Sequence, residues 1–178
     1  MGESGGLQFF LFLISTPLKK NTQRMFQGHT LNNLDDKGRI IIPSKFRKHI
    51  TSEANNLMYV ILGRDNCLWL YPSYEWINLQ KKIENLNPFL KNEIAMIRQM
   101  MYYTEECPID SQHRILISQE LLQKVEIKKE VLLLGQIEKI ELWNAENYDK
   151  YLKGFPDSYE DVMEKVMSKN PQGNINIS

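Results

Sequence analysis

The sequence predicts an α+β protein in which one unit of short strands and a small helix occurs twice. Residues 35–42 and 110–117 both read Asp-x-x-x-Arg followed by three aliphatic residues, and they lie 75 residues apart. An aliphatic run that ends in Gly63 is followed by a run that contains Trp. The same order recurs 72 residues later, with an aliphatic run that ends in Gly135. Between the two copies, residues 73–103 carry apolar side chains at helical spacing. A duplicated strand-rich unit with helices between and after its copies follows from these observations.

The first repeat spans residues 29–72. Its pattern predicts a strand at 29–34, a turn at 35–38 and a returning strand at 39–42, because Asp and Gly favour tight hairpin turns. Pro43 suits the first turn of a helix, which is expected to continue to Ile50 with Phe46 and Ile50 on one face. A loop at 51–56 and a second hairpin, with strands at 57–62 and 67–71, complete the repeat.

Helices are expected in two further places. Residues 73–86 and 89–103 form a linking pair within 73–103, and Met96, Met100 and Met101 are assigned to the core of that pair. The second repeat spans 104–147. C-terminal helices are predicted at residues 145–153 and 158–169, and residues 148–169 lie beyond the second repeat. The last helix has a capping-box spacing from Ser158 to Asp161. The polar tail, 170–178, is predicted to be disordered.

The first 24 residues lie outside both repeats. Their apolar stretch at 7–14 is far shorter than the ~20 residues of a membrane span. No Lys or Arg precedes that stretch, which argues against a secretory signal. We therefore expect translation to start at Met25, with residues 1–24 a disordered or misassigned extension.

Charge and composition favour a soluble protein with a local basic surface. The chain has 22 basic and 22 acidic residues, so no overall field indicates nucleic acid or membrane. Residues 37–48 nevertheless hold five cations and no acid, whereas 138–164 hold eight acids and three lysines. Ordinary surface scatter is the alternative explanation. Cys67 and Cys107 have no metal-binding spacing. We expect both to be small buried side chains of a protein in a reducing compartment.

Catalysis and bound cofactors are not expected. Asp110, Ser111 and His113 are the residue types of a hydrolase triad, but four consecutive positions cannot supply its geometry. No phosphate-binding glycine loop occurs, and the three histidines lack a second ligand at helical spacing. We predict no enzyme activity, no metal, no cofactor and no small-molecule substrate.

The repeated motif itself predicts DNA binding. Asp35 and Asp110 enter the turns, where a carboxylate can accept backbone N–H bonds across the turn, with Gly38 supplying positive φ. A two-stranded ribbon fits the DNA major groove, and an arginine can bond bidentately to guanine. The candidate DNA-binding residues are the two arginines, for bases, and the nearby cations, for phosphates: Arg39, Arg114, Lys37, Lys45, Arg47 and Lys48. The alternative is that each Asp–Arg pair only braces its own turn.

The chain also resembles a known family over residues 25–147. Met-Phe-x-Gly at 25–28, Leu-Asp-x-Lys-Gly-Arg at 34–39, Ile-Pro-x-x-Phe-Arg at 42–47 and Ile-Glu-Leu-Trp at 140–143 are similar to the MraZ family. The resemblance implies two AbrB-like swapped-hairpin repeats that form a small β-barrel-like core with flanking helices. It also implies a cytoplasmic, nucleoid-associated transcriptional regulator. Such a protein would bind short direct repeats in the promoter of the division and cell-wall gene cluster, as a ring-shaped homo-oligomer and without a membrane partner. An antitoxin-like or structural ring-forming module that does not read DNA is the alternative.

The second repeat departs from the first at two places. His113 stands where the first motif has Gly38, although His enters positive φ more readily than most residues. The three cations at 45, 47 and 48 align with Glu120, Leu122 and Gln123. Sequence alone leaves open whether both repeats contact DNA in the same way.

Overall fold

The computed structural model describes residues 25–169, so the predictions for 1–24 and 170–178 lie outside the described residues. The described part contains eight strands and six α-helices. The strands are β1 (His29–Asn33), β2 (Arg39–Ile41), β3 (Leu57–Leu62), β4 (Leu68–Pro72), β5 (Glu105–Pro108), β6 (Arg114–Leu116), β7 (Glu130–Gln136) and β8 (Lys139–Trp143). The helices are α1 (Ser44–Arg47), α2 (Ser73–Glu84), α3 (Lys91–Tyr102), α4 (Gln119–Lys124), α5 (Ala145–Lys153) and α6 (Tyr159–Lys169). A short 3-10 turn, Ser52–Ala54, lies in the expected loop.

The two repeats are interleaved, as the family resemblance implies. All strand pairs are antiparallel, and the larger sheet has the order β1-β7-β8-β4-β3-β5. Strand β1 of the first repeat pairs with β7 of the second, and β5 of the second pairs with β3 of the first. Strands β2 and β6 form a separate two-stranded sheet. Neither repeat therefore has a complete sheet without the other.

The local hairpin predicted for residues 29–42 is wrong in its pairing. The turn forms as predicted, but β1 and β2 lie in different sheets, each paired with a strand of the other repeat. Within the turn, Gly38 N donates to Asp35 O and Asp35 N donates to Arg39 O, both at 2.9 Å, and Asp35 with Arg39 is the last residue pair that the turn joins. Beyond that pair the strands diverge, because β1 completes an edge of the large sheet while β2 covers its core. The hairpins β3–β4 and β7–β8 do form locally.

One hydrophobic core lies between the two sheets. Ile40 and Ile115 face inward from the two-stranded sheet, and both are at most 1% exposed. They pack in one cluster with large-sheet residues from both repeats, among them Val60 and Leu142. Burying a side chain of this size stabilises the fold by ~1.5–3 kcal/mol, so the shared core ties the two repeats together.

The short helices that follow β2 and β6 differ in length and in their N-terminal caps. Pro43 directly precedes α1 and provides no side-chain cap, and the helix ends at Arg47 instead of the predicted residue 50. Turn hydrogen bonds, including Ile50 N to Arg47 O at 3.0 Å, still hold Ile50 against the core. At the equivalent position Ser118 accepts a hydrogen bond from Leu121 N, and α4 runs for six residues.

The linking helices are more exposed than predicted. Trp76 anchors α2, where its ring stacks on Tyr59 with the ring centroids 5.3 Å apart. Helix α3 has no buried residue. Assigning its methionines to the core is wrong: Met96 and Met101 are 39% and 40% exposed. Ile94, Ile97 and Met100 are half-buried, so part of the apolar surface of α3 faces solvent in the single chain.

The C-terminal helices begin where the sequence predicts. Ser158 Oγ accepts a hydrogen bond from Asp161 N at 3.1 Å, which confirms the capping interaction. Trp143 packs against Tyr148 and Tyr151 of α5, with ring centroids 5.2 Å away in both cases. Helix α6 makes little contact with the core and keeps most of its apolar side chains exposed. No helix in residues 25–169 combines the length and apolar character needed to cross a membrane.

Both cysteines are small buried side chains, as predicted. Cys67 and Cys107 are each 1% exposed and neither forms a disulfide. Burial raises the pKa of the Cys107 thiol to about 12. Such a thiol is protonated at neutral pH and is a poor nucleophile or metal ligand.

Candidate nucleic-acid interface

The first Asp-x-x-x-Arg motif is a turn built around the Asp35 carboxylate. Its Oδ1 atom accepts hydrogen bonds from the backbone N–H groups of Lys37 and Arg39, both at 2.9 Å. Its Oδ2 atom accepts a hydrogen bond from Arg39 Nε at 2.7 Å. The bond from the Arg39 backbone, with its guanidinium and the Lys37 backbone, holds the pKa of Asp35 below its ordinary value. Gly38 completes the turn with φ +79°, as its predicted role requires.

The second motif has the same geometry. Asp110 accepts hydrogen bonds from the backbone N–H groups of Gln112 and Arg114 at 2.9 Å, and from Arg114 Nε at 2.8 Å. The backbone and guanidinium bonds from Arg114 lower the pKa of Asp110. His113 adopts φ +61° at the position of Gly38, so the substitution preserves the turn.

Strands β2 and β6 join the two turns into one ribbon. Arg39 lies opposite Leu116, Ile40 opposite Ile115, and Ile41 opposite Arg114. The ladder continues past both ends through Ile117 N to Gly38 O at 3.2 Å and Ile42 N to His113 O at 2.9 Å. The expected two-stranded ribbon is therefore present, but it is built from one strand of each repeat. Its outward face carries Arg39, Ile41, Arg114 and Leu116.

The ion pairs orient the two arginines without covering them. The Arg39 and Arg114 side chains keep 30% and 23% of their surface exposed. Arg39 donates Nε to Asp35 Oδ2 at 2.7 Å, and a guanidinium group has further N–H donors, which a bidentate contact with guanine needs. Arg114 also places Nη2 2.8 Å from Asp110 Oδ2. Each Asp–Arg pair therefore braces its own turn, which was the alternative interpretation of the motif. The same pair also fixes the orientation of the arginine.

The interleaving separates the basic run at 37–48. Gly38 and Ile42 lie at opposite ends of the ribbon, which at ~3.3 Å per residue are roughly 13 Å apart. Lys37 and Arg39 therefore belong to one end. Helix α1, which directly follows Ile42, begins beside the turn of the second motif. The helix that carries Lys45, Arg47 and Lys48 therefore follows the strand end that is bonded to the second turn.

Each turn is correspondingly next to the helix of the other repeat. A Cβ atom on Gly38 would lie 2.9 Å from Ile117 O and 3.1 Å from the Gln119 side chain. The first turn of α4, which carries the acidic Glu120 and no basic residue, therefore packs beside the first motif. Lys37 and Arg39 of the first repeat lie at one end of the ribbon, and Arg114 and the strand end that leads into α1 lie at the other.

The predicted phosphate-binding residues differ in what they contact. Lys37 and Lys48 are exposed and Arg47 is half-buried. Lys45 is engaged within the fold, because its Nζ donates a hydrogen bond to His29 O and lies 5.1 Å from the centroid of the Phe46 ring. The geometry therefore offers Lys37, Arg47 and Lys48 more readily than Lys45.

Two residues on the ribbon were missed by the sequence reasoning. Ile41 and Leu116 lie inside apolar runs that predict buried strands, yet they are 53% and 55% exposed. Alternation along a strand could have identified them, since Ile40 and Ile42 point to the core and the residue between them must point outward.

Comparisons with known proteins agree with the duplicated motif. Two consecutive segments, residues 25–98 and 100–167, match the family model described as "MraZ protein, putative antitoxin-like". The chain is 39% identical over 138 residues to "Transcriptional regulator MraZ" of Halothermothrix orenii, covering 78% of this chain and 94% of that protein. The identically named protein of Pediococcus pentosaceus is 34% identical over 143 residues, covering 80% of this chain and 97% of the relative. The protein of the same name from Pectobacterium atrosepticum is 34% identical over 146 residues, covering 82% of this chain and 96% of the relative.

Proposed function

This chain belongs to the MraZ family, and from that premise we propose that it regulates transcription by binding promoter DNA through the β2–β6 ribbon and its two turns. The observation that carries the proposal is the pair of arginines, each fixed by the aspartate of its own motif on one face of a two-stranded ribbon. A ribbon of this kind is narrow enough to enter a major groove, where arginine distinguishes guanine from the other bases.

The surrounding cations support this proposal. Lys37 lies in the first turn, and Arg47 and Lys48 follow the strand end that is bonded to the second turn. Contacts from such side chains to phosphates fix the position of a protein on the duplex without reading sequence. Since the whole chain has a net charge of zero, DNA affinity must come from this surface and not from a general positive field.

Self-assembly would supply the affinity that a single chain lacks. Few phosphate contacts give weak binding at physiological salt, whereas linked sites can raise the overall affinity ~10²–10⁴-fold. Exposed apolar side chains on α3 and α6 provide candidate contacts between copies, with Phe89, just before α3, 94% exposed and Tyr159 of α6 77% exposed. We propose a ring-shaped homo-oligomer that binds direct repeats in the promoter of the division and cell-wall gene cluster, in the nucleoid region of the cytoplasm.

A binding titration tests the proposal. Fluorescently labelled DNA from upstream of the protein's own gene is titrated against a shuffled duplex of the same composition, at fixed moderate salt. We expect tighter binding to the upstream DNA and a steep gain from one to two or more direct repeats. Moving one repeat by about half a helical turn, ~5 base pairs, should remove that gain. Equal affinity for upstream and shuffled DNA would contradict sequence-specific regulation.

The exposed helices favour a second candidate, a protein-interaction module related to the antitoxin-like description of the family. Apolar surface that no described residue covers on α3 and α6 is typical of protein contact sites. The two functions separate cleanly in one experiment. A stable oligomer in light scattering that shows no preference for upstream DNA would favour the interaction module.

A further inference from the structure

Two exposed aliphatic side chains lie in the middle of the candidate DNA-binding face. Ile41 and Leu116 are 53% and 55% exposed, while Ile40 and Ile115, their neighbours on the inward face of the ribbon, are at most 1% exposed. The core therefore gains little from Ile41 and Leu116. Their positions are equivalent in the two repeats, because each follows the motif arginine by two residues.

The ribbon register makes these two residues and the motif arginines one patch. Leu116 lies opposite Arg39, and Ile41 lies opposite Arg114. The two aliphatic side chains are thus diagonal neighbours, which in antiparallel pairs are ~7–8 Å apart. An arginine flanks each of them across the ribbon.

We propose that Ile41 and Leu116 contact the C5-methyl groups of thymines in the major groove. This inference rests on the proposed DNA-binding function of the ribbon. The thymine methyl group distinguishes thymine from the other bases on their major-groove edges, and apolar side chains recognise it by direct contact. With base pairs ~3.4 Å apart, a separation of ~7–8 Å lets the two side chains reach bases about two steps from each other. The arginines would read guanine beside them, so each motif contributes one polar and one apolar contact.

A protein partner fits this patch less well. It consists of two aliphatic and two arginine side chains at alternating positions, and Lys37 lies at one end. The chain has broader exposed apolar surfaces on α3 and α6 for contacts between copies. An aliphatic side chain opposite a guanidinium group matches a thymine methyl group on the floor of a polyanionic groove.

Replacing thymine by deoxyuridine tests the proposal, because it removes only the methyl group and leaves every base-pairing atom in place. The upstream duplex is made with thymine and with deoxyuridine, and both are titrated with the full-length wild type. Removal of one buried methyl group should weaken binding about fourfold, so removal of two should weaken it roughly 15-fold. The double variant Ile41→Ala with Leu116→Ala should bind both duplexes equally, because its shorter side chains do not reach the methyl groups.

Ile137→Ala is the matched control, since Ile137 is 57% exposed but lies at the β7–β8 turn, outside the ribbon. It should keep the full preference for thymine. Equal affinity of the wild type for both duplexes, with discrimination against shuffled DNA intact, would overturn this inference and leave the proposed function standing. No discrimination against shuffled DNA would overturn both. A lower assembly mass for the double variant in light scattering would identify the patch as a protein contact and also overturn it.

Discussion

Replacing Gly38 by alanine tests whether the two repeats are interleaved at the ribbon. Gly38 has φ +79°, and its carbonyl accepts a hydrogen bond from Ile117 N of the other repeat. An L-residue in the left-handed region costs ~1–2 kcal/mol, from which a reduced unfolded-state entropy returns ~0.4–1 kcal/mol. The new Cβ would also lie 2.9 Å from Ile117 O, a backbone atom that cannot move without disturbing the ladder. We expect Gly38→Ala to lower the free energy of unfolding by ~1–3 kcal/mol.

The second motif provides the matched control. His113 already holds a Cβ at φ +61°, so the neighbouring backbone accommodates it. His113→Gly relieves the left-handed strain but increases unfolded-state entropy, and the net change should be a gain of no more than ~1 kcal/mol. Urea denaturation followed by circular dichroism at one protein concentration gives both values, with equal m-values as the check on comparability.

Two outcomes would refute this reasoning. A Gly38→Ala protein as stable as the wild type would show that Ile117 does not lie against the first turn, and the ribbon built from both repeats would be wrong. A His113→Gly protein that is clearly less stable would show that the His113 side chain makes a stabilising contact.

Three further predictions concern binding, pH and the extension. Lys48→Ala should weaken binding to upstream and shuffled DNA equally. It should also flatten the slope of log affinity against log salt by about one, as removal of a phosphate contact requires. Weaker binding to upstream DNA alone would contradict that role. The pKa of Asp35 is lowered in the fold, so its stabilisation is present above the ordinary value of 3.8 and disappears as the pH falls through the lower folded-state pKa. Asp35→Asn should therefore lower the Tm at neutral pH, and thermal melts should show the gap closing in acid; a gap independent of pH would contradict the ion-pair account. A chain that starts at Met25, where the family match begins, should keep the Tm, assembly mass and DNA affinity of the full chain; loss of any of these would assign residues 1–24 a role.

The local features of the fold could be predicted because they depend on neighbouring residues. The Asp35 and Asp110 turns, the Ser158 cap and the β3–β4 hairpin each follow from side-chain chemistry within a few positions. Positive φ at His113 also followed from the repeat, since the motif needs a left-handed residue there.

The pairing of strands between repeats was not accessible from local residues. A turn that suits a hairpin closes one backbone pair at Asp35 and Arg39, and nothing in β1 itself distinguishes β2 from β7 as its partner. Only the family resemblance implied the exchange. The exposure of Met96 and Met101 was missed for a related reason, because an amphipathic helix has the same pattern whether its apolar stripe faces its own core or another surface.

The division of the basic run is the part of the site that sequence reasoning misplaced. Five cations within residues 37–48 suggest one patch, but a strand between them separates the first two from the last three by the length of the ribbon. Lys45 additionally bonds His29 O, which no spacing indicated. Charge counted along the chain predicts a surface only when the backbone between the charges is compact.

Base reading by the two motif arginines is the central claim, and substitution by lysine tests it most directly because the charge is kept. Arg39→Lys and Arg114→Lys should each weaken binding to upstream DNA by ~1–3 kcal/mol, about 5- to 150-fold, since lysine cannot make the planar bidentate contact. Shuffled DNA should bind with nearly unchanged affinity. The measurement is anisotropy titration of both duplexes at one salt concentration, on variants whose folding is verified by circular dichroism. Affinity reduced equally on both duplexes, or unchanged affinity for upstream DNA, would contradict base reading by the ribbon.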